Sequence, residues 1–600
     1  RHRHHPHRRS HRVRNTVLVL LLALIVAAGA CGGALYFSAR NVLSHARSVT
    51  DEAKTFQIGL LEGDASALKS SATAIATDAD AINDELQGIQ WQVASHLPIV
   101  GQDVRNAQTL GASASTLGHD VLEPLANDMA GFELDKLLQN KTINTGLIRQ
   151  LRDSVVSVSP ALVQEANTIS SLPKGRIDQL NEMLDSLREP LSTTADLLED
   201  ADVMFAAMLD MLGDGGQTRH YVILAQQNSE IRAVGGFPGA VGTATVKDGQ
   251  VELSEFEPVT NIKQIFREHP EYGAKISDDE MQAFGDVLSN DPAGPTLTPN
   301  YVRAGEITRE QWELAYGEKV DGVIAADPLF VQRILSVVGA VTTEDGTVVD
   351  GENAAYEIMI NSYWRYADAS AGEYDEDEFF YDVADRVFHK LIDSMGDVDF
   401  LELADAFWSS GRDNRFLVWL ADDDGEELMS KAGFSGELSH DATQPVLGVY
   451  ANDNTWAKLT WYMDINTEFG EPTANADGTT SYPVTAHFTN NYKESEVDAA
   501  FDSIRGGNPL VRQKCDLIET VYIMAPEGGT ITDYEVHQDA PIEEKNQIPD
   551  EHLTVYGFDT MRSRIQILPG GDTYLTFTVT LPAEAQGKLP EVRTSPLCHD

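Results

Sequence analysis

The residues best suited to chemistry lie together between Asn228 and Gly239, in the string Asn-Ser-Glu-Ile-Arg-Ala-Val-Gly-Gly-Phe-Pro-Gly. Arg232 offers a rigid fork of donors that fits a phosphate or a carboxylate. Glu230 can hold a metal or pair with Arg232. Gly235, Gly236 and Gly239 let backbone N–H groups come close to an anion. Asn228, Glu230, Arg232, Gly235 and Gly236 are therefore the candidate ligand-binding residues. The competing reading is a tight turn in which Glu230 and Arg232 tie the loop down and the glycines avoid a clash. Neither G-x-x-x-x-G-K-[ST] nor G-x-G-x-x-G occurs, so a nucleotide loop is not indicated.

Asp321 and Asp327 flank a second apolar run, Val320–Ala326. Acids at strand ends bind metals or cap helices, and Asp327 directly before Pro328 fits an N-cap. No G-x-S-x-G or H-E-x-x-H is present, and the histidines beyond the N-terminal tail are scattered. The acidic strings Glu373–Glu378 and Asp422–Gly425 lack the spacing of a calcium loop. No catalytic residue, metal ligand or cofactor site can be named from these patterns.

The elements around these residues change character along the chain. Arg219–Gln227 is a short apolar run suited to a buried strand that empties into the glycine-rich string. Ala240–Val246 and Val251–Phe256 flank an Asp248-Gly249 turn and predict a hairpin. Val320–Ala326 and Phe416–Leu420 predict further strands, with helices over 328–338, 351–366, 376–395 and 399–410. Strands alternating with helices predict an α/β domain with a mixed sheet over 218–434.

From Val446 the chain turns to alternating strands: Val446–Tyr450, Leu459–Met463, Tyr482–Thr489, Leu517–Met524, Ile531–Val536, Ser563–Leu568 and Tyr574–Leu581. This spacing predicts a C-terminal antiparallel β-sandwich over 445–600. Before the α/β domain, residues 40–212 carry apolar residues at helical spacing, among them Ile75, Ile82, Leu86, Ile89, Val93, Val104 and Leu117. Helices of this kind bury their stripes on one another, predicting a helical bundle stalk.

The N-terminus supplies the compartment. Residues 1–16 hold six arginines and no acid, and Val17–Phe37 is free of charge. A run of that length crosses a bilayer as one helix, with the arginines holding the basic tail in the cytosol. A lipoprotein signal ending at Cys31 and a cleaved signal peptide are the competing readings. The expected fold is thus α+β multidomain: cytosolic tail 1–16, single transmembrane helix 17–37, stalk, α/β domain and sandwich. The expected location is the cell membrane, single-pass, with the bulk extracellular.

All 94 acidic residues follow the apolar run, in a chain whose formal charge is −50. Such a surface repels nucleic acid and tolerates cations, basic proteins or neutral polymers. Cys515 and Cys598 are the only cysteines beyond the apolar run. An extracellular compartment permits a disulfide between them. With no C-x-x-C, thiol redox chemistry is not expected.

The string from Asn228 to Phe237 resembles the signature of a Gram-positive, membrane-anchored family catalogued as domain of unknown function 4012. Val320–Pro328, Phe416–Trp419 and Gly448–Asn454 resemble its later blocks, in the same order. A weaker likeness links Asp321–Val341, Gly351–Ala355 and Asp385–Ile392 to the LytR-CpsA-Psr enzymes, which move lipid-linked glycopolymers onto the cell wall. That chemistry calls for an arginine cluster on a pyrophosphate, and only Arg232 follows the first strand here. The expectation is a non-catalytic, membrane-anchored envelope scaffold or binding protein, with a cell-wall glycopolymer or an envelope protein as partner. The alternative is a metal-dependent glycopolymer transferase of LytR-CpsA-Psr type.

Overall fold

The computed structural model describes residues 35–59, 64–129, 132, 136–139, 142–367, 374–394, 398, 400–500, 504, 514–538 and 548–599. The expected basic tail, most of the expected membrane helix and Cys31 lie outside these residues. Among the described residues, no helix is long and apolar enough to cross a membrane.

The chain forms two compact units. One comprises residues up to Leu137 together with Gly146–Ala206, and the other comprises Leu138–Thr145 with Ala207–Asp600. The first unit is helical. A helix over 35–59 is followed by Ala65–Leu86, Ile89–Ala94, Gly101–Leu117, Glu123–Met129 and the long helices beginning at Thr145 and Asp178. Asp64 caps Ala65–Leu86 by accepting from the amides of Ser66 and Ala67. Leu68, Ala72 and Ile75 of that helix pack on Phe56 and Ala126.

The predicted stripe follows the core as far as Leu86 and then leaves it. Ile89 and Val93, expected inside the bundle, are 77% and 55% exposed. The helix breaks at Gln87-Gly88. That break resets the rotational phase, so residues three and four further on no longer share a face with Leu86.

The second unit, the body, contains both remaining domains. Its central sheet draws on β1 (Leu138–Gln139), β2 (Thr142–Ile143), β3 (Thr218–Arg232), β4 (Gly235–Lys247), β5 (Gln250–Leu253), β6 (Glu257–Pro258) and β7 (Gly322–Ala326). After a small hairpin of β8 (Val341–Thr342) and β9 (Val348–Val349), β10 (Phe416–Leu420) completes it. The order is β1-β2-β5-β4-β3-β7-β10, with β6 on β4. Only β3 and β7 run parallel within the three-strand centre β4-β3-β7; β10 returns antiparallel to β7. The β1–β2 hairpin comes from the stretch expected to be stalk, and Thr142 pairs with Gln250.

Both faces of the sheet are covered, which is why β3 reads as a continuous apolar run. Val222 and Leu224 pack under the helices Val259–Glu268 and Tyr301–Tyr316. Ala225 and Ala326 face Val331, Phe380 and Val383 on the opposite side. Pro328–Val338 begins and ends where the sequence predicts, with Asp327 as its N-cap.

The C-terminal domain uses β11 (Val446–Asp453), β12 (Met463–Phe469), β13 (Thr473–Ala474), β14 (Thr480–Asn490), β15 (Leu517–Met524), β16 (Thr530–His537), β17 (Glu551–Val555), β18 (Phe558–Ile567), β19 (Asp572–Leu581) and β20 (Glu591–Thr594). One sheet is ordered β17-β18-β15-β11-β20, the other β12-β14-β19-β16 with β13 on β14. The domain is not purely antiparallel, because β20 pairs parallel with β11. Leu447, Val449, Leu517, Val521 and Ile523 from one sheet share a core with Val484, Phe488, Phe577 and Val579 from the other. The expected strand at Leu459–Met463 is a 3₁₀ turn, Lys458–Tyr462. The Thr460 hydroxyl explains it, bonding to the β3 backbone at Asn228 and Ile231 rather than joining a ladder.

The two domains of the body share an apolar seam. Tyr450, Tyr522, Met524 and Phe558 from the outer face of the first sheet pack against Ala233, Phe284, Leu297 and Ile307. The Tyr522 hydroxyl also donates to the carbonyl of Ala283 at 2.8 Å.

The expected disulfide is not formed: Cys515 and Cys598 are both buried and neither is in a disulfide. They sit in different cores. Cys515 belongs to the sandwich interior, whereas Cys598 packs with Leu329, Ala355 and Met359. Burial also raises the Cys598 thiol pKa well above its ordinary value.

Candidate functional site

The candidate residues Asn228, Glu230, Arg232, Gly235 and Gly236 do not form an open loop. The strand continues to Arg232, and β4 starts at Gly235 after a turn of Ala233-Val234. Gln227 faces Phe237 while Ile231 faces Gly236, so Asn228-Ser229-Glu230 bulge out of the ladder. The glycines are needed for contact with backbone. Gly235 has φ +126°, and a Cβ on Gly236 would lie 2.3 Å from the Gln227 carbonyl carbon.

The bulge sends its side chains in two directions. The Asn228 amide donates to Asp327 Oδ2 at 3.2 Å and to the carbonyl of Pro596 at 3.1 Å. Arg415 Nη1 donates to the same Asp327 oxygen at 3.0 Å and to the carbonyl of Leu597. Asp327 Oδ1 accepts from the Phe330 amide at 2.9 Å. Both Asp327 oxygens are thus engaged, and this clamp fastens the C-terminal segment 596–597 to the strand ends. Burial raises the Asp327 carboxyl pKa, against the pull of Arg415 and the helix amides. Asp321 also serves structure: it accepts from the His220 amide at 3.0 Å and pairs with Lys319.

Glu230 points the other way and pairs with Lys458, whose ammonium lies 4.9 Å from the Tyr363 ring centre. Burial alone would lower the Lys458 pKa, but Glu230, Tyr363 and Asp377 outweigh it and raise the value. Next to this pair the hairpin tip enters the sandwich. The Ala233 amide donates to Asn452 Oδ1 at 2.9 Å.

Arg232 interacts electrostatically with two carboxyl groups that the sequence reading did not single out. Asp453 and Glu519 face each other across β11 and β15. Both are buried, and neither Glu519 oxygen has a hydrogen-bond partner among the described residues. Burial raises the Glu519 pKa well above its ordinary value, the Asp453 charge adds to this, and Arg232 opposes it. Asp453 is pushed up to about 6 by burial and by Glu230, against its bonds to Thr455. It accepts from the Thr455 and Trp456 amides at 3.1 Å each, which fixes the chain just beyond β11. A Glu at the core-facing position of Leu517-Ile-Glu-Thr-Val521 breaks an apolar alternation, and this is the signal that could have found it.

A cleft of about 890 Å³ opens beside Arg232. Its floor is the outer face of the β18-β15-β11 sheet, with Asn452, Thr520, Arg562 and Arg564. Its opposite wall carries Phe237, Lys263 and Arg267. Five cationic side chains line it against three carboxylates, Glu230, Asp291 and Asp453. Glu230 is neutralised by Lys458, and Asp291 by Lys263 at 3.2 Å. Arg562 and Arg564 project from the same face of β18, two residues apart. Burial lowers the Arg564 pKa, and Arg562 adds to that. Trp456 stands at the rim, 65% exposed and at φ +55°.

Among the described residues, no three His, Cys, Asp or Glu side chains are grouped so as to hold a metal ion. No curated protein and no solved structure matches the chain significantly. The β3–β4 hairpin, β7 and Asp327 all fall within residues 216–363, which match the model of a family described as a protein of unknown function (DUF4012).

Proposed function

We propose that this is a single-pass, membrane-anchored cell-envelope protein with its bulk outside the cell. In this reading it acts as a non-catalytic binding scaffold that takes an anionic glycopolymer in the cleft below Trp456. The uncharged Val17–Phe37 run behind an arginine-rich flank supports the anchor. One observation carries the binding role: after Lys263 pairs with Asp291 and Arg562 with Glu551, the five cations that line the cleft still leave an excess of positive charge, in a chain of formal charge −50. A local field opposite to the global one selects an anion that the rest of the surface repels.

Transfer chemistry has less support than binding. Asn228 and Glu230 are held in internal bonds, and the charges nearest Arg232 include Asp453 and Glu519. Arg232 already serves as their counter-charge.

Calorimetric titration of the full chain with poly(glycerol phosphate) tests the proposal. Binding should weaken steeply with salt. Arg267→Gln removes an exposed wall charge and should weaken binding about tenfold, the size of one lost charge-assisted contact. No binding at low salt, or unchanged affinity in Arg267→Gln, would overturn it.

A further inference from the structure

The residues that leave the helical core after Leu86 form a distinctive surface. Leu86 to Gln102 contains no Asp, Glu, Lys or Arg, although Asp84, Glu85 and Asp103 border it directly. Four large aliphatic side chains of this stretch face outward: Ile89 at 77% exposure, Ile99 at 66%, Val93 at 55% and Leu97 at 48%. Scattered exposed apolar residues need no explanation; four within eleven positions of an uncharged turn do.

The position of this turn in the helical unit identifies its partner. The Trp91 indole N–H donates to Ser38 Oγ at 2.8 Å, and the Gln90 amide reaches the same oxygen at 3.4 Å. Ser38 in turn donates to Glu85 at 2.5 Å. The turn therefore lies against the first described turn of the helix over 35–59. Ser38 directly follows the uncharged Val17–Phe37 run, and Tyr36 and Phe37 beside it are 61% and 66% exposed. A run that enters the bilayer just before Ser38 would put Ile89–Ile99 at the surface of the same leaflet. Tyr36 and Trp91 are the residue types that settle at such an interface. A segment without charge and with several outward aliphatics is what a headgroup boundary accepts.

We infer that the Ile89–Ile99 turn inserts into the outer-leaflet interface and gives the helical unit a second lipid contact beside the anchor. This rests on the anchor proposed above. The remainder of the bundle stays out of the lipid: Lys69, exposed on the same helix that ends at Leu86, is about 26 Å further along at 1.5 Å per residue.

Depth-dependent quenching tests it on the full chain in phosphatidylcholine bilayers. Single labelling sites are made by Ile89→Cys, Ile99→Cys and, as control, Lys69→Cys, each with Cys31→Ser. An environment-sensitive fluorophore is attached, and lipid carrying a nitroxide near the headgroup end of its chain is added. The labels at 89 and 99 should be quenched at least twofold, with blue-shifted emission, and the label at 69 should be unaffected. Alkaline carbonate extraction of the same samples reports on the anchor. Retention in the bilayer without quenching at 89 and 99 overturns this inference alone. Release into carbonate overturns the anchor and this inference with it. Shielding of 89 and 99 by a second copy, seen as loss of emission shift on dilution into empty lipid, also overturns it.

Discussion

Two buried polar clusters lie near opposite ends of one β-bulge, and they treat charge differently. At the Asp327 cluster, Arg415, Asn228 and the Phe330 amide meet both carboxylate oxygens. At the Glu519 cluster, two facing carboxyls share one arginine, and Glu519 has no hydrogen-bond partner among the described residues. Burying a charge is tolerable when hydrogen bonds and a counter-ion replace the lost water. The first cluster meets that condition and works as a clamp. In the second, like charge adds to burial: Glu230 on Asp453, and Asp453 on Glu519. Burial raises the carboxyl in both clusters; at Asp327 Arg415 and the helix amides oppose it, while at Glu519 no hydrogen bond does.

The largest effect should come from breaking the clamp. Asp327→Ala removes the buried counter-ion of Arg415 and the acceptor that orients Asn228 and Arg415, the donors to the carbonyls of Pro596 and Leu597. Losing one member of a buried pair costs about 3–5 kcal/mol. The body's unfolding transition in urea should move accordingly, and the C-terminal segment should become cleavable by carboxypeptidase. A loss under about 1 kcal/mol would erase the distinction between the two clusters.

The second cluster should reveal itself through pH. Asp453 has a folded value of about 6, raised above its ordinary aspartate value. Stability from a raised carboxyl is fully present below the unfolded pKa and is lost as pH rises through the folded one. Between pH 4 and 7 the native protein should therefore lose about 3 kcal/mol relative to Asp453→Asn, two pKa units at 1.36 kcal/mol each. Glu519→Gln should flatten the same profile further, since its carboxyl is also raised. Urea midpoints measured across that range decide it. Parallel profiles for native and Asp453→Asn would mean that the pair is not buried as described.

What could be read from the sequence was local. Asp327 before Pro328 specifies a cap whatever lies around it, and the helix starts there. The apolar runs at Arg219–Gln227 and Val320–Ala326 announced buried strands because period and composition carry that information within a few residues. The partners could not be read, because they come from far along the chain. Arg415 is 88 positions from Asp327, Lys458 is 228 from Glu230, and Pro596 is 368 from Asn228. The glycine-rich string was suited equally to a ligand loop or a close-packed bulge, and only the Gln227 backbone against Gly236 decides between them. Ile89 and Val93 misled for another reason: their spacing fits the stripe, but Gly88 breaks the helix that would have carried it. The cysteine expectation rested on compartment, which permits a bond without placing two side chains in one core.

The smallest effect on stability should fall at Trp456, where the second cluster meets the cleft. A bulky side chain at φ +55° is a conformation that glycine adopts without strain. Here it is held by the Asp453 carboxylate, which accepts from the Trp456 amide. Since the ring is 65% exposed, packing gives little return for that strain. Outliers of this kind persist where contact with a ligand favours them. Trp456→Gly should leave the urea midpoint within about 1 kcal/mol of native, or raise it slightly, since strain is relieved while chain entropy is lost. If the ring stacks on a bound glycopolymer, the same variant should weaken poly(glycerol phosphate) binding severalfold. A variant that unfolds easily yet binds normally would assign Trp456 to the fold and leave the cleft's cations as the whole of the recognition.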